Sequence, residues 1–286
     1  MDQTKDKARQ RAEQDKRLKE KMAQIKHKII VMSGKGGVGK STIAVNLASG
    51  LALKGYRVGI LDIDIHGPNI AKMFKLEDKQ LIGSDLGIEP VNVFSDLSLK
   101  AISLAFLFKD KDKAVIWRGP LKMITIKQFL ADVNWGKLDY LIIDSPPGTG
   151  DEPLSACQLI PGLDGAVIVT TPQDVAILDA RKSINFVKEL KLPVMGVVEN
   201  MSGFICPHCK KEIDLFGKGG GEKSATELEV PFLGNIPLEP EFVKSGDSGA
   251  PFIYRHVGSQ VSRRINKIIE KIISSLEKNK SLNIKL

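Results

Sequence analysis

A glycine-rich stretch near the start of the chain decides the fold: Gly34-Lys35-Gly36-Gly37-Val38-Gly39-Lys40-Ser41. The stretch satisfies the pattern G-x-x-x-x-G-K-[ST], in which backbone N–H groups wrap a polyphosphate. In that pattern Lys40 meets the β- and γ-oxygens of the polyphosphate, and Ser41 faces Mg2+. The sequence therefore predicts a phosphate-binding loop and a nucleotide site.

The residues on either side of this loop favour a strand before it and a helix after it. The run Lys28–Ser33 is short and apolar, which is typical of a buried parallel strand, and Ile43, Leu47 and Leu51 recur at helical spacing. The N-terminus of that helix adds free N–H groups and a partial positive charge where the phosphate oxygens would lie. Phosphate binding requires this order of strand, loop and helix.

Further apolar runs alternate with helix-like segments along the chain. This alternation predicts an α/β fold with a mostly parallel sheet and helices on both faces. No linker or repeat interrupts residues 28–260, so we expect one domain over 28–286, preceded by a basic arm over 1–27. The predicted strands are Lys28–Ser33, Arg57–Asp62, Leu99–Ser103, Val115–Trp117, Leu138–Asp144, Gly165–Thr170, Val194–Glu199 and Phe232–Ile236.

Composition and charge narrow the class of protein. Hydrophobic residues make up 42% and charged residues 27% of the 286 residues, no run approaches the roughly 20 apolar residues of a membrane span, and the polar N-terminus does not resemble a signal peptide. We therefore expect a cytoplasmic protein.

The net charge of +8 resides in the tails, where residues 1–28 hold ten basic and five acidic residues and residues 261–286 hold seven and two. The body of the chain is slightly acidic, so we expect no specific nucleic-acid partner.

Apolar residues recur at helical spacing between Val261 and Leu276. The pattern indicates a terminal helix packed on the core, for which we expect no membrane contact. A helix lying on a membrane surface would show a similar pattern.

Acidic residues follow two of the predicted strands. Asp62 and Asp64 end the second strand, and side chains two residues apart point the same way while a strand lasts. Asp144 ends another apolar strand and precedes Pro146-Pro147-Gly148, a stiff turn whose glycine N–H can approach the γ-phosphate. These acids are candidates for binding Mg2+ and for hydrolysis, although two acids at a strand end also suit a plain turn.

The candidate base contact is Asn200, which ends a further strand. An asparagine amide offers both a donor and an acceptor to the N6/N7 edge of adenine. We therefore expect ATP rather than GTP.

Two cysteines form the motif Cys206-Pro207-His208-Cys209. This Cys-x-x-Cys spacing lets two thiolates bind one metal or cluster, and a second chain would complete the four ligands that such a site needs. A redox dithiol and a bridging zinc are the alternatives. The third cysteine, Cys157, lies in an apolar helical segment and reads as a core residue.

The phosphate-binding loop resembles the deviant Walker A loop of the MinD, ParA and nitrogenase iron protein group. In that group the first lysine reaches across a two-fold axis into the partner's nucleotide, so the resemblance implies that Lys35 acts in trans and that the chain dimerises around ATP. It also implies that Asp62 supports Mg2+ and Asp64 orients the attacking water, while Asp144 would hold Mg2+ through water as in a Walker B segment.

Six segments extend the resemblance to the Mrp/ApbC family of iron–sulfur cluster carrier ATPases, over Lys28 to about His256: GKGGVGKST, LDIDIHGPN, IWRGPLK, WGKLDYLIIDSPPGTGDEPLS, TTPQDVAILDARK and VVENMSGFICPHC. The family implies a slow P-loop ATPase that holds a 4Fe-4S cluster between the Cys-x-x-Cys motifs of a homodimer. It also implies a cluster donor and apo iron–sulfur proteins as partners.

The resemblance assigns the site residues as follows. The catalytic set is Lys35, Lys40 and Asp64, the Mg2+ set is Ser41, Asp62 and Asp144, and the cluster ligands are Cys206 and Cys209. The ATP-binding set, which includes Pro237 of the Gly-x-Ile-Pro segment, is Gly34, Lys35, Gly36, Gly37, Val38, Gly39, Lys40, Ser41, Thr42, Gly148, Asn200 and Pro237. Two other readings stay open: a MinD- or ParA-like positioning ATPase whose basic tails dock a membrane or acidic surface, and an ATPase whose dimer is bridged by a structural zinc.

Overall fold

The computed structural model describes residues 2–64, 67–84, 87–107, 119–206, 208–209 and 211–283. The strands in these residues are β1 (Ile25–Ser33), β2 (Val58–Asp62), β3 (Ile82–Ser84), β4 (Gly87–Glu89), β5 (Val91–Asn92), β6 (Leu99–Ser103), β7 (Leu138–Asp144), β8 (Gly165–Thr170), β9 (Val194–Glu199), β10 (Phe204–Ile205), β11 (Glu212–Ile213) and β12 (Phe232–Asn235).

The helices flank these strands in sequence. They are α1 (Asp2–Ala23), α2 (Lys40–Leu53), α3 (Ile70–Met73), α4 (Gly119–Asp132), α5 (Asp151–Leu159), α6 (Asp174–Glu189), α7 (Gly220–Glu227), α8 (Pro240–Asp247), α9 (Phe252–Arg255) and α10 (Gln260–Asn283), with a 3-10 turn at Leu104–Leu107. None of the helices in the described residues is both long and apolar enough to cross a membrane.

The main sheet of the described residues has the order β12-β9-β8-β1-β7-β2-β6-β5. Every neighbouring pair is parallel except β5 with β6 at one edge. The central strands are buried on both faces, which explains why they read as continuous apolar runs. The structure thus confirms the α/β fold with a mostly parallel sheet and helices on both sides.

Two apolar clusters cover the two faces of the sheet. One cluster joins α2, α9 and α10 to the sheet, and the other joins α1, α4, α5, α6 and α7 to the opposite face. The apolar residues of α10 lie in the first cluster, so this helix packs on the core. Its buried members are Val261, Ile265, Ile268, Ile269, Ile272 and Leu276.

The sheet extends to the N-terminal side of the predicted first strand. Strand β1 begins at Ile25, three residues before the predicted start, and the preceding helix buries Leu18 and Met22 against the core. The ammonium of Lys28 donates to the carbonyl of Met22 over 3.2 Å and so closes the end of α1. The predicted strand Val115–Trp117 lies outside the described residues.

Candidate nucleotide and metal site

The phosphate-binding loop connects β1 to α2 at the carboxyl end of the sheet. Gly37 and Gly39 have φ angles of 81° and 84°, a left-handed conformation that favours glycine. A Cβ at Gly34 would lie 2.2 Å from the carbonyl carbon of Asp179 in α6, so this glycine is required by close packing. The loop therefore closes in the shape that lets its N–H groups and the N-terminus of α2 converge.

The acids predicted to serve Mg2+ lie side by side because their strands are in register. Asp62 of β2 pairs with Asp144 of β7 on one side and with Ser103 of β6 on the other. Both carboxylates are fully buried. Asp62 accepts hydrogen bonds from Ser103 Oγ (3.0 Å) and from the backbone N–H groups of Asp64 (3.1 Å) and Ile70 (3.2 Å).

Burial raises the pKa of both acids. For Asp62 the pKa lies well above the ordinary value because of desolvation first and of the neighbouring Asp144 charge second. For Asp144 desolvation also raises the pKa, although the Lys40 ammonium opposes the shift. Two neighbouring carboxylates with raised pKa values form a site where a divalent cation would favour the ionised forms.

Lys40 and Asp144 form a buried ion pair between the loop and the end of β7. Lys40 Nζ lies 2.5 Å from Asp144 Oδ1 and 3.3 Å from Ser41 Oγ. The other carboxylate oxygen, Asp144 Oδ2, is buried and has no hydrogen-bond partner among the described residues. A buried carboxylate oxygen without a hydrogen-bond partner in the described part of the chain, on an acid that also interacts with the Ser41 hydroxyl, fits a hard cation such as Mg2+, which prefers oxygen ligands.

A cavity of about 330 Å³ lies over the loop and brings together the residues predicted for hydrolysis. Asp64 and Lys35 both line it, and Asp64 Oδ1 accepts a hydrogen bond from the backbone N–H of Gly67 over 3.1 Å. The other lining residues are Ser33, Gly36, Gly37, Gly39, Lys40, Ser41, Thr42, Gly67, Asn69, Met73, Pro147 and Met201.

The segment after Asp144 folds back onto the start of the loop. Gly148, with a φ of 94°, donates its N–H to the carbonyl of Ser33 over 2.7 Å, and Ser145 donates to the carbonyl of Val31. The Gly148 N–H, which we expect at the γ-phosphate, therefore donates to the backbone at the start of the loop instead. A phosphate contact by Gly148 requires that hydrogen bond to open.

A second cavity, of about 300 Å³, adjoins the first and contains the predicted base contacts. Asn200 donates its side-chain amide to the carbonyl of Val38 over 2.9 Å and is buried. Pro237 lines the same cavity, as do Gly39 and Thr42 of the loop. The lining residues that sequence reasoning missed are Asn69, Lys72, Met73, Met201, Leu238, Glu239, Phe242, Val243, Gly246 and Asp247.

Cys206 and Cys209 lie between two short paired strands, and we call the described residues between 204 and 213 the cysteine hairpin. Its strands β10 and β11 are antiparallel, and Cys206 donates its N–H to the carbonyl of Lys211 over 3.0 Å. Cys206 is half-buried and Cys209 is exposed. Within the described part of the chain no group of three or more His, Cys, Asp or Glu side chains could hold a metal ion.

Cys157 lies apart from this hairpin. It is buried in α5, and burial raises the pKa of its thiol to about 11. A thiol in this environment behaves as a small apolar core residue.

Glu199, just before Asn200, is a buried acid that the sequence reasoning did not select. Its carboxylate is completely buried and accepts hydrogen bonds from Ser202 Oγ and from the N–H groups of Gly219 and Gly221. The run Lys218-Gly219-Gly220-Gly221 is the sequence signal that could have pointed to it, because successive glycines let a backbone close around a carboxylate.

One family model and several known proteins are similar to most of this chain. The ParA family, described as NUBPL iron-transfer P-loop NTPase, matches residues 24–273. The iron–sulfur cluster carrier protein of Methanocaldococcus jannaschii is 51% identical over 269 residues, which cover 94% of this chain and 91% of the relative. The cytosolic Fe-S cluster assembly factor CFD1 of Kluyveromyces lactis is 49% identical over 267 residues, with 90% and 94% covered.

A solved structure agrees with these sequence relatives. The nucleotide-binding protein of Archaeoglobus fulgidus, in complex with ADP and with cobalt found by PIXE, superposes with a TM-score of 0.72 at 42% identity. The match covers 82% of this chain and 91% of that chain.

Proposed function

The chain belongs to the ParA family of NUBPL-type iron-transfer P-loop NTPases, and we propose that it is an ATP-dependent carrier of iron–sulfur clusters. The observation that carries the proposal is the pair of thiols on the cysteine hairpin, which begins four residues after Asn200. The amide of Asn200 lines the second cavity, of about 300 Å³, which we call the base cavity. The relatives of similar length that are about half identical carry names of cluster carriers and cluster assembly factors.

Adenine nucleotide is the ligand proposed for the two adjoining cavities. Asn200 and Pro237 border the cavity for the base, while the glycine loop and Lys40 border the cavity for the phosphates. The Archaeoglobus fulgidus protein, 42% identical to this chain, is in complex with ADP, which supports an adenine nucleotide as the ligand.

We propose that ATP is hydrolysed by residues around the cavity of about 330 Å³ over the loop, which we call the phosphate cavity. Ser41, Asp62 and Asp144 would hold Mg2+, which when bound neutralises phosphate charge and orients the β- and γ-oxygens. Asp64 would orient the attacking water, because it lines the cavity and its Oδ1 is fixed by the Gly67 N–H. Lys35, which also lines the cavity, would stabilise developing charge on the nucleotide of a second copy.

A homodimer is proposed because one chain offers two thiolates and a tetrahedral or cubane site needs four ligands. The surface that a second copy would cover includes exposed apolar residues of α6, Val175 and Leu178, and Leu215 beside the cysteine hairpin. Helix α6 lies beside the phosphate-binding loop, because Gly34 packs on Asp179 of α6. The segment after the cysteine hairpin lies beside the start of the same helix, because Gly217 approaches Pro172 just before α6. Exposed apolar side chains of this kind suit an interface between subunits.

The cluster itself is cargo. We propose that Cys206 and Cys209 of two copies hold one 4Fe-4S cluster, accept it from a donor and release it to apo iron–sulfur proteins. The exposed position of Cys209 supports transfer, since a partner's thiolates can approach it. We propose a cytoplasmic location, which the name of the cytosolic assembly factor of Kluyveromyces lactis supports.

Anaerobic reconstitution with iron and sulfide tests the proposal. We expect a brown protein with charge-transfer absorbance that is lost in Cys206→Ser and Cys209→Ser. The matched control Cys157→Ser, at the buried cysteine, should keep the absorbance. Colourless binding of zinc in place of a cluster, or no metal binding, would contradict the carrier and favour a zinc-bridged or positioning ATPase.

A further inference from the structure

The two ends of the cysteine hairpin are attached to one buried carboxylate. Ser202, two residues before β10, donates its hydroxyl to Glu199 Oε1 over 2.6 Å. Gly219 and Gly221, after β11, donate their N–H groups to Oε1 over 2.9 Å and to Oε2 over 2.5 Å. The chain that enters the hairpin and the chain that leaves it therefore converge on Glu199.

The glycine run after the hairpin is shaped for this contact. Gly219 has a φ of 84°, and a Cβ at Gly221 would lie only 3.0 Å from Glu199 Oε2. A Cβ at Gly220 would lie 2.9 Å from the carbonyl oxygen of Pro172. A side chain at Gly221 would therefore crowd the carboxylate, and one at Gly219 would be strained by the positive φ. The glycines let the backbone close around the acid.

Glu199 also caps the helix that follows. Helix α7 begins at Gly220, so the carboxylate accepts from the N-cap residue Gly219 and from Gly221 in the first turn. Negative charge at a helix N-terminus is stabilising, and an acceptor there satisfies N–H groups that have no partner within the helix.

The residues next to Glu199 belong to the nucleotide site. Asn200 donates its N–H to Thr170 and its side-chain amide to Val38 of the phosphate-binding loop. Ser202 donates its N–H to the carbonyl of Ile236, one residue before Pro237 of the base cavity. A stretch of four residues, 199–202, thus contacts the base cavity, the loop and both ends of the cysteine hairpin.

From this geometry we propose that Glu199 is a positioning residue that holds the cysteine hairpin in a fixed place relative to the nucleotide site, and thereby controls how firmly the cluster is retained. The inference rests on the proposed carrier function. Glu199 itself contacts neither cluster nor nucleotide in this scheme. A carboxylate suits the role because all three of its partners are donors, whereas an amide would turn an NH2 group toward at least one of them.

The test compares Glu199→Gln with Glu222→Gln, which removes the same charge from an exposed acid in the first turn of α7. Three quantities are measured: hydrogen exchange of residues 202–221 in the apoprotein, the rate of cluster loss to an iron(II) chelator, and the affinity for MgADP. For Glu199→Gln we expect exchange in 202–221 and cluster loss to be at least about tenfold faster, because buried hydrogen bonds to a charged acceptor are lost. We expect the MgADP affinity to stay within about twofold of wild type, and Glu222→Gln to match wild type throughout.

Unchanged exchange and cluster loss in Glu199→Gln would overturn the proposal, as would an equal acceleration in Glu222→Gln. A loss of MgADP affinity in Glu199→Gln as large as the acceleration of exchange would also overturn the proposal, because the variant would then have lost its folded structure generally. If Glu199→Gln does not fold, Ser202→Ala removes a single donor and should accelerate exchange of residues 202–213 by a smaller factor; no acceleration would count against the proposal. A wild-type protein that takes up no cluster overturns the carrier function, and the exchange data alone then decide the role of Glu199.

Discussion

The ammonium of Lys40 lies 2.5 Å from Oδ1 of Asp144, and the two side chains are 7% and 0% exposed. This contact joins the phosphate-binding loop to the end of β7, the strand that supplies the predicted Mg2+ acid. Each charge compensates the other where both side chains are almost entirely buried. Removing one partner leaves an uncompensated buried charge, which is far more costly than losing an exposed ion pair.

The two loop lysines should therefore differ in their effects. Lys40→Ala should abolish measurable MgATP binding and lower the free energy of unfolding by about 3 kcal/mol, since Asp144 loses its counter-charge. Lys35→Ala should keep the ATP affinity within about threefold and reduce turnover by roughly a hundredfold or more, as expected for a cation that acts on developing charge. Calorimetric titration measures the MgATP affinity, urea unfolding measures the free energy of unfolding, and phosphate release measures turnover. Equal loss of binding in both variants would refute a trans role for Lys35.

Asp64 is predicted to serve hydrolysis rather than binding. Asp64→Asn keeps an oxygen that can accept from the Gly67 N–H but lowers the negative charge that orients water. Turnover should fall by about a hundredfold, within the range for positioned acid–base groups, with little change in MgATP affinity. Asp151→Asn, at an exposed acid of α5, is the control and should behave as wild type. A collapse of affinity in Asp64→Asn would instead make Asp64 a Mg2+ ligand.

Much of the fold follows from local sequence patterns. The predicted strands Leu99–Ser103, Leu138–Asp144, Gly165–Thr170 and Val194–Glu199 coincide with β6, β7, β8 and β9, because buried parallel strands are apolar on both faces. The short strands β3, β4, β5, β10 and β11 were not predicted. They have two or three residues each, too few for a periodic pattern to emerge.

The residues of the candidate site also fall into those that a local sequence pattern predicts and those that it does not. The glycine loop and the strand-end acids carry a local signal, and register brings Asp62 beside Asp144 as parallel topology requires. Glu199 has no local signal around it, because the glycine run that could have pointed to it lies about twenty residues away and becomes its neighbour only in the folded chain. The base-cavity residues of α8 were missed for the same reason.

The three cysteines should differ sharply in reactivity. Burial raises the pKa of the Cys157 thiol to about 11, so at pH 8 only about one in a thousand of these groups is a thiolate. Iodoacetamide should therefore label two thiols per native apoprotein chain, Cys206 and Cys209, and a third only after denaturation. Peptide mass spectrometry identifies the labelled sites. Labelling of Cys157 at a comparable rate in the native protein would show that it is not a core residue.

The Arg57–Asp139 pair should stabilise the start of β2 against β7 in a pH-dependent way. Asp139 accepts three hydrogen bonds of 3.0 Å from the backbone N–H, Nε and Nη2 of Arg57, and these bonds lower the pKa of Asp139 to about 2. Because Arg57 is half exposed, Asp139→Asn should lower the free energy of unfolding at pH 7 by only about 1 kcal/mol.

The sign of the pH effect follows from the depressed pKa. The contribution of Asp139 is complete above the ordinary carboxyl pKa of 3.8 and is lost as the pH falls through about 2. Urea unfolding should therefore show a smaller difference between wild type and Asp139→Asn at pH 3 than at pH 7. A difference that grows on acidification would contradict the assignment.

Native mass spectrometry of the anaerobically reconstituted protein with a non-hydrolysable ATP analogue tests the central claim most directly, because it counts chains and cluster atoms in one particle. We predict a particle of two chains with a single 4Fe-4S cluster, which disappears in Cys206→Ser and persists in Cys157→Ser. A single chain without a cluster, or a two-chain particle that carries zinc in its place, would contradict a cluster shared between two copies.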